Sequence, residues 1–323
     1  MNTHRNRRGV ALITAIWLIV AIAVVALQFS VDAKERRSLG LNAADRGAQR
    51  ALAGGALKLI QAKLDYALRT VPTGRNTSML QASDPWLGID SLYSGTYQVD
   101  SQPVYVKATD LGAKLNINDL SEDELKTFFA YILNDYVAAD GLAQCVMDWV
   151  QVGDMPRIHG AKRDDYIKAG LLALPTYAPF RDISELQFVK GMTPEIYAAV
   201  SPYLTTLGAG LVNLNTAPAA VLKTLPGMTD QMLTTILGLR SQGQRITSVA
   251  EVMGAANRGR RLTPAQQAQQ AQSQQAFSTR AAILSNEVLF TVISRSGTQS
   301  QPTELQAIVS RANGNVSISW QQW

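Results

Sequence analysis

Residues 10–27 read VALITAIWLIVAIAVVAL, a run in which Thr14 is the one polar side chain. As a helix rising about 1.5 Å per residue it is roughly 27 Å long, close to the thickness of a bilayer core. The charged cluster Asp32, Lys34, Glu35, Arg36 and Arg37 comes next and belongs in water. Arg5, Arg7 and Arg8 precede the run, a bias that favours a cytoplasmic amino terminus and export of the chain beyond Arg37. A secretory signal would close its apolar stretch at a small-residue cleavage site, but here helix-compatible sequence continues. Ala48, Leu52, Leu59 and Ile60 recur near helical spacing up to Leu68. Gly40, Gly47 and the pair Gly54 and Gly55 weaken such a helix without ending it. The pattern predicts one stalk over 10–70, a membrane half running into an amphipathic half.

The whole chain has 323 residues, 46% of them apolar and 17% charged, enough for two or three domains with a real core. There are 30 basic and 25 acidic residues, and without the three leading arginines the balance is 27 against 25. Such an excess does not by itself point to nucleic acid. One cysteine, Cys145, excludes an internal disulfide and any multi-cysteine metal centre. It falls with Leu142, Val146 and Trp149 on one helical face, a core stripe. His159 lies fourteen residues on, in a Pro/Gly loop, with no orienting group evident for a cysteine–histidine dyad. The chain is read as a non-enzyme with no catalytic residue.

Past Arg69, Pro72, Gly74, Asn76 and Pro85 mark a loop. Residues 95–99 and 104–108 then read as strands, and 287–294, 305–310 and 316–320 have the same alternating, β-rich character. Strands on both sides of a long helical middle predict one sheet domain with a helical insertion. Inside the insertion Leu115-Asn116-Ile117-Asn118 recurs as Val212-Asn213-Leu214-Asn215, and Leu125-Lys126-Thr127 as Leu222-Lys223-Thr224, all at an offset of 97 residues. The asparagines are read as structural caps of helix starts rather than ligands. Leu225-Pro226-Gly227-Met228-Thr229 has a helix-hairpin-helix pattern, with residues 185–193 and 246–253 as looser relatives. Thr229 stands where a DNA-binding hairpin carries its second glycine, and Asp230 turns negative charge toward any phosphate. These hairpins are read as packing modules, with no nucleic-acid partner expected. The glutamine-rich tract 263–275 is read as a mobile loop.

Arg7-Arg8-Gly9 followed by Val10-Ala11-Leu12-Ile13-Thr14 resembles a type IV prepilin-like leader. The resemblance implies a peptidase cut between Gly9 and Val10, retention of the apolar helix, and methylation of Val10. It also implies a glutamate at the fifth mature position, where this chain has Thr14. A carboxylate in a membrane is costly without a partner. In a pilin fibre that partner is the amino terminus of the subunit above, so a neutral residue suits a subunit with nothing above it. The alternative is that Thr14 is a tolerated polar residue in an ordinary anchor.

Together with Asp148-Trp149, Gly160-Ala161, Tyr166, Ser184-Glu185-Leu186 and the stretch 212–218, these features are similar to the K-type (GspK) minor pseudopilins of type II secretion. The resemblance implies an α+β pilin-like fold: a long N-terminal transmembrane helix and an antiparallel sheet, with an inserted helical region of two SAM-like, helix-hairpin-helix-type domains. It divides the chain into a leader (1–9), the transmembrane and stalk helix (10–70), the first part of the pilin-like domain (71–111), helical domains at 112–207 and 208–280, and closing strands (281–323). It implies partnership with the minor pseudopilins GspI and GspJ, the prepilin peptidase and the inner-membrane assembly platform. The place implied is a periplasmic pseudopilus tip, reached from a single-pass anchor in the inner membrane. A DNA receptor of a competence system and a tip pilin of a type IV pilus are the rival readings. Calcium also comes with the resemblance, and Asp154, Asp164 and Asp165 are the candidate ligands here. The match is poor, because Gln151, Gly153 and Lys162 stand where more acidic residues are expected.

Overall fold

A computed structural model of the chain describes residues 5–70, 86, 88–256, 263–295, 301–312 and 315–323. Its first element, α1 (Arg5–Thr70), is one unbroken helix. A Cβ added at Gly40, Gly47 or Gly54 would meet nothing within 4 Å, so these glycines lower helix propensity without marking a contact. Among the described residues this is the one helix long and apolar enough to cross a membrane, and its apolar window is not buried within the chain.

The second half of α1 packs on a sheet through Gln49, Leu52, Ala53, Ala56, Leu57, Ile60 and Leu64, all buried. These positions keep the i, i+3, i+4, i+7 spacing of one helix face. Ala48 and Leu59, which the sequence pattern put on that face, are exposed. Small residues decide the phase instead: Ala53 and Ala56 let the backbone approach the sheet, and a Cβ on Gly55 would stand 3.1 Å from Val99 Cγ1.

A short helix α2 (Ile89–Tyr93) leads into β1 (Gly95–Val99) and β2 (Gln102–Asp110). Asp100 and Ser101 join the two strands with φ of 48° and 63°, the left-handed geometry that a two-residue hairpin requires. The insertion then runs β3 (Leu115–Asn116), α3 (Glu122–Leu133), α4 (Tyr136–Val150), α5 (Arg163–Lys168), α6 (Pro194–Val200) and β4 (Leu204–Thr205). It continues with β5 (Val212–Asn213), α7 (Ala219–Thr224), α8 (Asp230–Ser241), α9 (Val249–Ala256), α10 (Pro264–Arg280) and β6 (Ala281–Ala282). β7 (Glu287–Ser294), β8 (Thr303–Ala312) and β9 (Asn315–Gln322) return to the sheet.

The sheet order is β1-β2-β7-β8-β9, antiparallel throughout. Alternation sets one face toward α1: Val104, Val106 and Ala108 of β2, Val288, Phe290 and Val292 of β7, and Leu305, Ala307 and Val309 of β8 are buried together. Residues 111–286 leave and re-enter at one end of the sheet, because Asp110 faces Val288 across the β2–β7 ladder. The repeat seen in the sequence is a repeat in space. Each copy opens on a two-residue strand that a later strand closes in parallel, β3 with β4 and β5 with β6. One continuous apolar core runs through both copies.

The glutamine-rich tract is not a mobile loop; it lies in α10. Thr263 accepts from the Gln266 backbone N–H while the Gln266 side chain returns to Thr263 N, and a proline occupies the first turn. Alanine and glutamine are good helix formers, and Phe277 anchors the last turn in the core with no exposed surface.

Candidate functional site

The two asparagine pairs explain why the copies close as they do. Asn116 Oδ1 accepts from Asn118 N at 3.1 Å, and Asn213 Oδ1 accepts from Asn215 N at 3.0 Å. Asn116 thereby caps the short 3-10 turn that begins at Ile117. Asn118 and Asn215 have a longer reach. Asn118 donates to Phe180 O at 3.0 Å and accepts from Phe180 N at 2.8 Å. Asn215 donates to Ile246 O at 3.0 Å and Ile283 O at 2.8 Å, and accepts from Ile246 N at 2.9 Å. These second asparagines are therefore backbone clamps between distant segments rather than caps.

A polar cluster lies where α4 ends. Asp148 is almost fully buried beside Trp149. Its carboxylate accepts from Arg157 N at 2.9 Å and Arg157 Nη1 at 2.6 Å. Arg157 also donates to Glu122 Oε2 at 2.7 Å and Gln151 Oε1 at 2.7 Å. Desolvation alone would lower Arg157, but the hydrogen bonds to Glu122 and Asp148 outweigh it and hold the guanidinium above its ordinary value. Gly160 is required by packing: a Cβ there would collide with Asp148 Oδ2 and lie 3.0 Å from its Cγ. Tyr166 packs on Trp149 in a tilted pair, 5.6 Å between ring centroids with the planes 56° apart, and its hydroxyl accepts from Lys190 N at 2.8 Å. Burial pushes that phenol well above its ordinary value.

Of the aspartates considered as metal ligands, Asp154 and Asp164 are exposed. Asp165 spends one oxygen on the Lys162 backbone N–H, at 3.0 Å. Among the described residues no group of three or more His, Cys, Asp or Glu side chains is placed to hold a metal ion.

Cys145 is buried in the stripe expected for it, with Leu142, Val146 and Trp149. Its sulfur approaches His159 through the backbone, 3.6 Å from the carbonyl oxygen. The imidazole turns instead to Asp140, with Nδ1 2.6 Å from Oδ2. Burial pushes the thiol up to about 11, the reverse of what a nucleophile needs.

The helix-hairpin-helix turn between α7 and α8 abuts α10 on one side, while Gly227 and Thr229 remain exposed. Gly227 has φ of 75°, and a Cβ there would collide with the Ser273 carbonyl of α10. Lys223 is paired with Asp230 across the same turn.

The two ends of the sheet carry different attachments. Where the exposed half of α1 departs, Gln49 O accepts from Ser294 Oγ at 2.8 Å, Gln49 bonds Thr303, and Arg50 sits 5.6 Å over the Trp323 ring. Twelve residues on, Gln61 Nε2 donates to Val316 O at 3.1 Å, and Val316 faces Arg311 at the opposite sheet end. That opposite end bears the insertion. Its junction is pinned by Asp110, which accepts from Thr216 Oγ1 at 2.6 Å and Gly112 N at 2.8 Å, and by Glu287, which accepts from Ala209 N at 2.6 Å. The insertion thus stands at the far end of the sheet from the apolar half of α1. Gly9 and Val10 lie within α1, their side chains outside the described residues, and Thr14 lies on its exposed apolar stretch.

Three comparisons bear on this arrangement. Residues 113–209, the first copy of the repeat, match the family model of type II secretion system (T2SS) protein K. Type II secretion system protein K of Klebsiella pneumoniae is 25% identical over 132 residues, which is 37% of this chain and 40% of that relative, well short of its full length. A chain of the GspK-GspI-GspJ complex of the enterotoxigenic Escherichia coli type 2 secretion system has the same fold, with a TM-score of 0.56 at 15% identity over 90% of this chain and 98% of that one. With the long apolar helix, the antiparallel sheet and the helical insertion in the same chain, the protein is similar to protein K of type II secretion in its first helical copy and in its fold.

Proposed function

We propose that this chain is the tip subunit of a type II secretion pseudopilus, a structural protein that starts or caps the fibre and so helps drive export across the outer membrane. In this reading the leader is cut between Gly9 and Val10, α1 anchors the chain once in the inner membrane, and the sheet and insertion face the periplasm. Extraction from the membrane then packs the apolar half of α1 against the apolar helices of other subunits.

One observation carries the reading: the insertion occupies the sheet end opposite the departing apolar helix. A subunit added above would have to occupy the space that residues 111–286 fill. Thr14 agrees with this placement, because a tip subunit has no neighbour to neutralise a carboxylate at that depth. The neighbours below would be minor pseudopilins of the GspI and GspJ kind. The pairing of Lys223 with Asp230 at the Gly227 turn speaks against the DNA-receptor alternative, because it engages the nearby cation and sets a carboxylate beside the turn.

The test is the intact mass of the chain recovered from membranes, with co-purification of the other minor pseudopilins. The proposal expects loss of residues 1–9, one added methyl, and both partners in the eluate. A Gly9→Ala chain should keep its full mass and fail to support secretion. Normal secretion by that uncleaved chain would contradict the proposal.

A further inference from the structure

The loop after α4 is closed around a buried lysine. Lys162 is 4% exposed. Its ammonium donates to Asp148 O at 3.1 Å and Gln151 O at 2.6 Å. It also stands 3.6 Å from Asp148 Oδ1 and 5.3 Å from the centre of the Tyr177 ring. Both carbonyls belong to the end of α4, where the last turn leaves acceptors without intrahelical partners and the helix dipole presents negative charge. An ammonium has three protons to give, and oxygens or a π face meet it on each of these sides.

Calcium, which the family resemblance implies, does not fit this donor set. That ion takes about six to eight oxygens, several of them carboxylate. The carboxylate that faces this point, Asp148, is already held by Arg157 N and Nη1. Asp165 is engaged with the backbone N–H of Lys162 itself. The side-chain charges paired with Asp148 are the cations Arg157 and Lys162, so a divalent ion would have to displace a buried ammonium. The cluster is balanced without it: Asp148 and Glu122 against Arg157 and Lys162.

We infer that Lys162 is a tethered cation, which closes the 151–162 loop and caps the end of α4 in the place where an oxygen-lined loop would take a metal ion. The first copy of the repeat therefore holds its shape independently of calcium, and one side chain carries the closure. This concerns the local structure of the chain and stands apart from its position in a fibre.

Hydrogen exchange of the full chain in detergent, read by mass spectrometry on peptides spanning 147–163, tests it. Exchange should be the same in millimolar calcium and in chelator. Lys162→Met, of similar length but uncharged, should exchange roughly tenfold faster or more in those peptides, as expected when buried acceptors lose a charged donor. Peptides of the β7–β8 ladder should be unchanged. Slower exchange of the unmodified chain in calcium, or heat on titrating calcium into it, would overturn the inference. So would a Lys162→Met chain that exchanges no faster. If the variant loses protection throughout, the calcium comparison on the unmodified chain still decides.

Discussion

Gly160→Ala is a sharp test of the cluster at the end of α4. The added methyl would collide with Asp148 Oδ2 and stand 3.1 Å from Arg157 Cβ. Asp148 is 1% exposed, so its carboxylate has no free space into which to turn. Forcing a methyl into a packed site costs about 1–3 kcal/mol. Loosening the charge-assisted bonds from Arg157 N and Nη1 adds about 1–3 kcal/mol more. Partial relaxation keeps the sum near the lower range, about 2–4 kcal/mol, or roughly a 30- to 700-fold change in an opening equilibrium. Native-state hydrogen exchange of the α4 amides reads that change directly. Gly141 supplies the control within the same helix: a Cβ there meets nothing within 4 Å, so Gly141→Ala should be neutral or stabilise α4 by about 0.5–1 kcal/mol. An α4 equally protected in Gly160→Ala and the unmodified chain would refute the packing argument. So would Gly141→Ala proving as damaging.

The same contacts set other outcomes. Asn118→Ala and Asn215→Ala should each destabilise their own copy by about 1–3 kcal/mol, since each strands a backbone N–H and C=O; urea unfolding of the two variants should show similar losses, and no loss in either would remove the clamp reading. Cys145, with its thiol pushed up to about 11, should react with a thiol reagent at pH 8 mainly through unfolding, so its rate should track urea concentration. The native chain holds that proton more tightly than the unfolded chain, so the contribution is complete below the ordinary thiol range and is lost as pH rises through about 11; Cys145→Ala should flatten that alkaline loss of stability. The full chain in detergent should show no salt-dependent retention on duplex DNA, because Lys223 at the Gly227 turn is paired with Asp230. Retention at low salt that salt removes would revive the nucleic-acid reading.

Elements whose periodicity depends on neighbours in sequence are legible without coordinates. The apolar run and its continuation predict α1, and alternating residues predict the strands around Val106, Phe290 and Ala307 almost to their ends. The offset repeat predicts two copies because capping and turn chemistry are local. The features that sequence misses depend on distance or on small residues. Hydrophobic periodicity misphases the stripe of α1 because Ala53 and Ala56, not the larger Leu59, meet the sheet. The glutamine tract reads as a loop because low complexity masks a Thr263–Gln266 capping box that the sequence does contain. Asn118 clamps a residue 62 positions away, and no local rule identifies Phe180 as its partner. In sequence Lys162 is only a charge at the end of a Pro/Gly loop; its burial against the end of α4 is a fact of packing.

The central claim is that this chain ends a fibre because its helical insertion stands where the next subunit would go. Electron microscopy of pseudopili assembled with an affinity-labelled version of this chain, each label marked by gold, tests that most directly. The account predicts gold at one end of each fibre and bare shafts. Gold spaced along the shafts would contradict it.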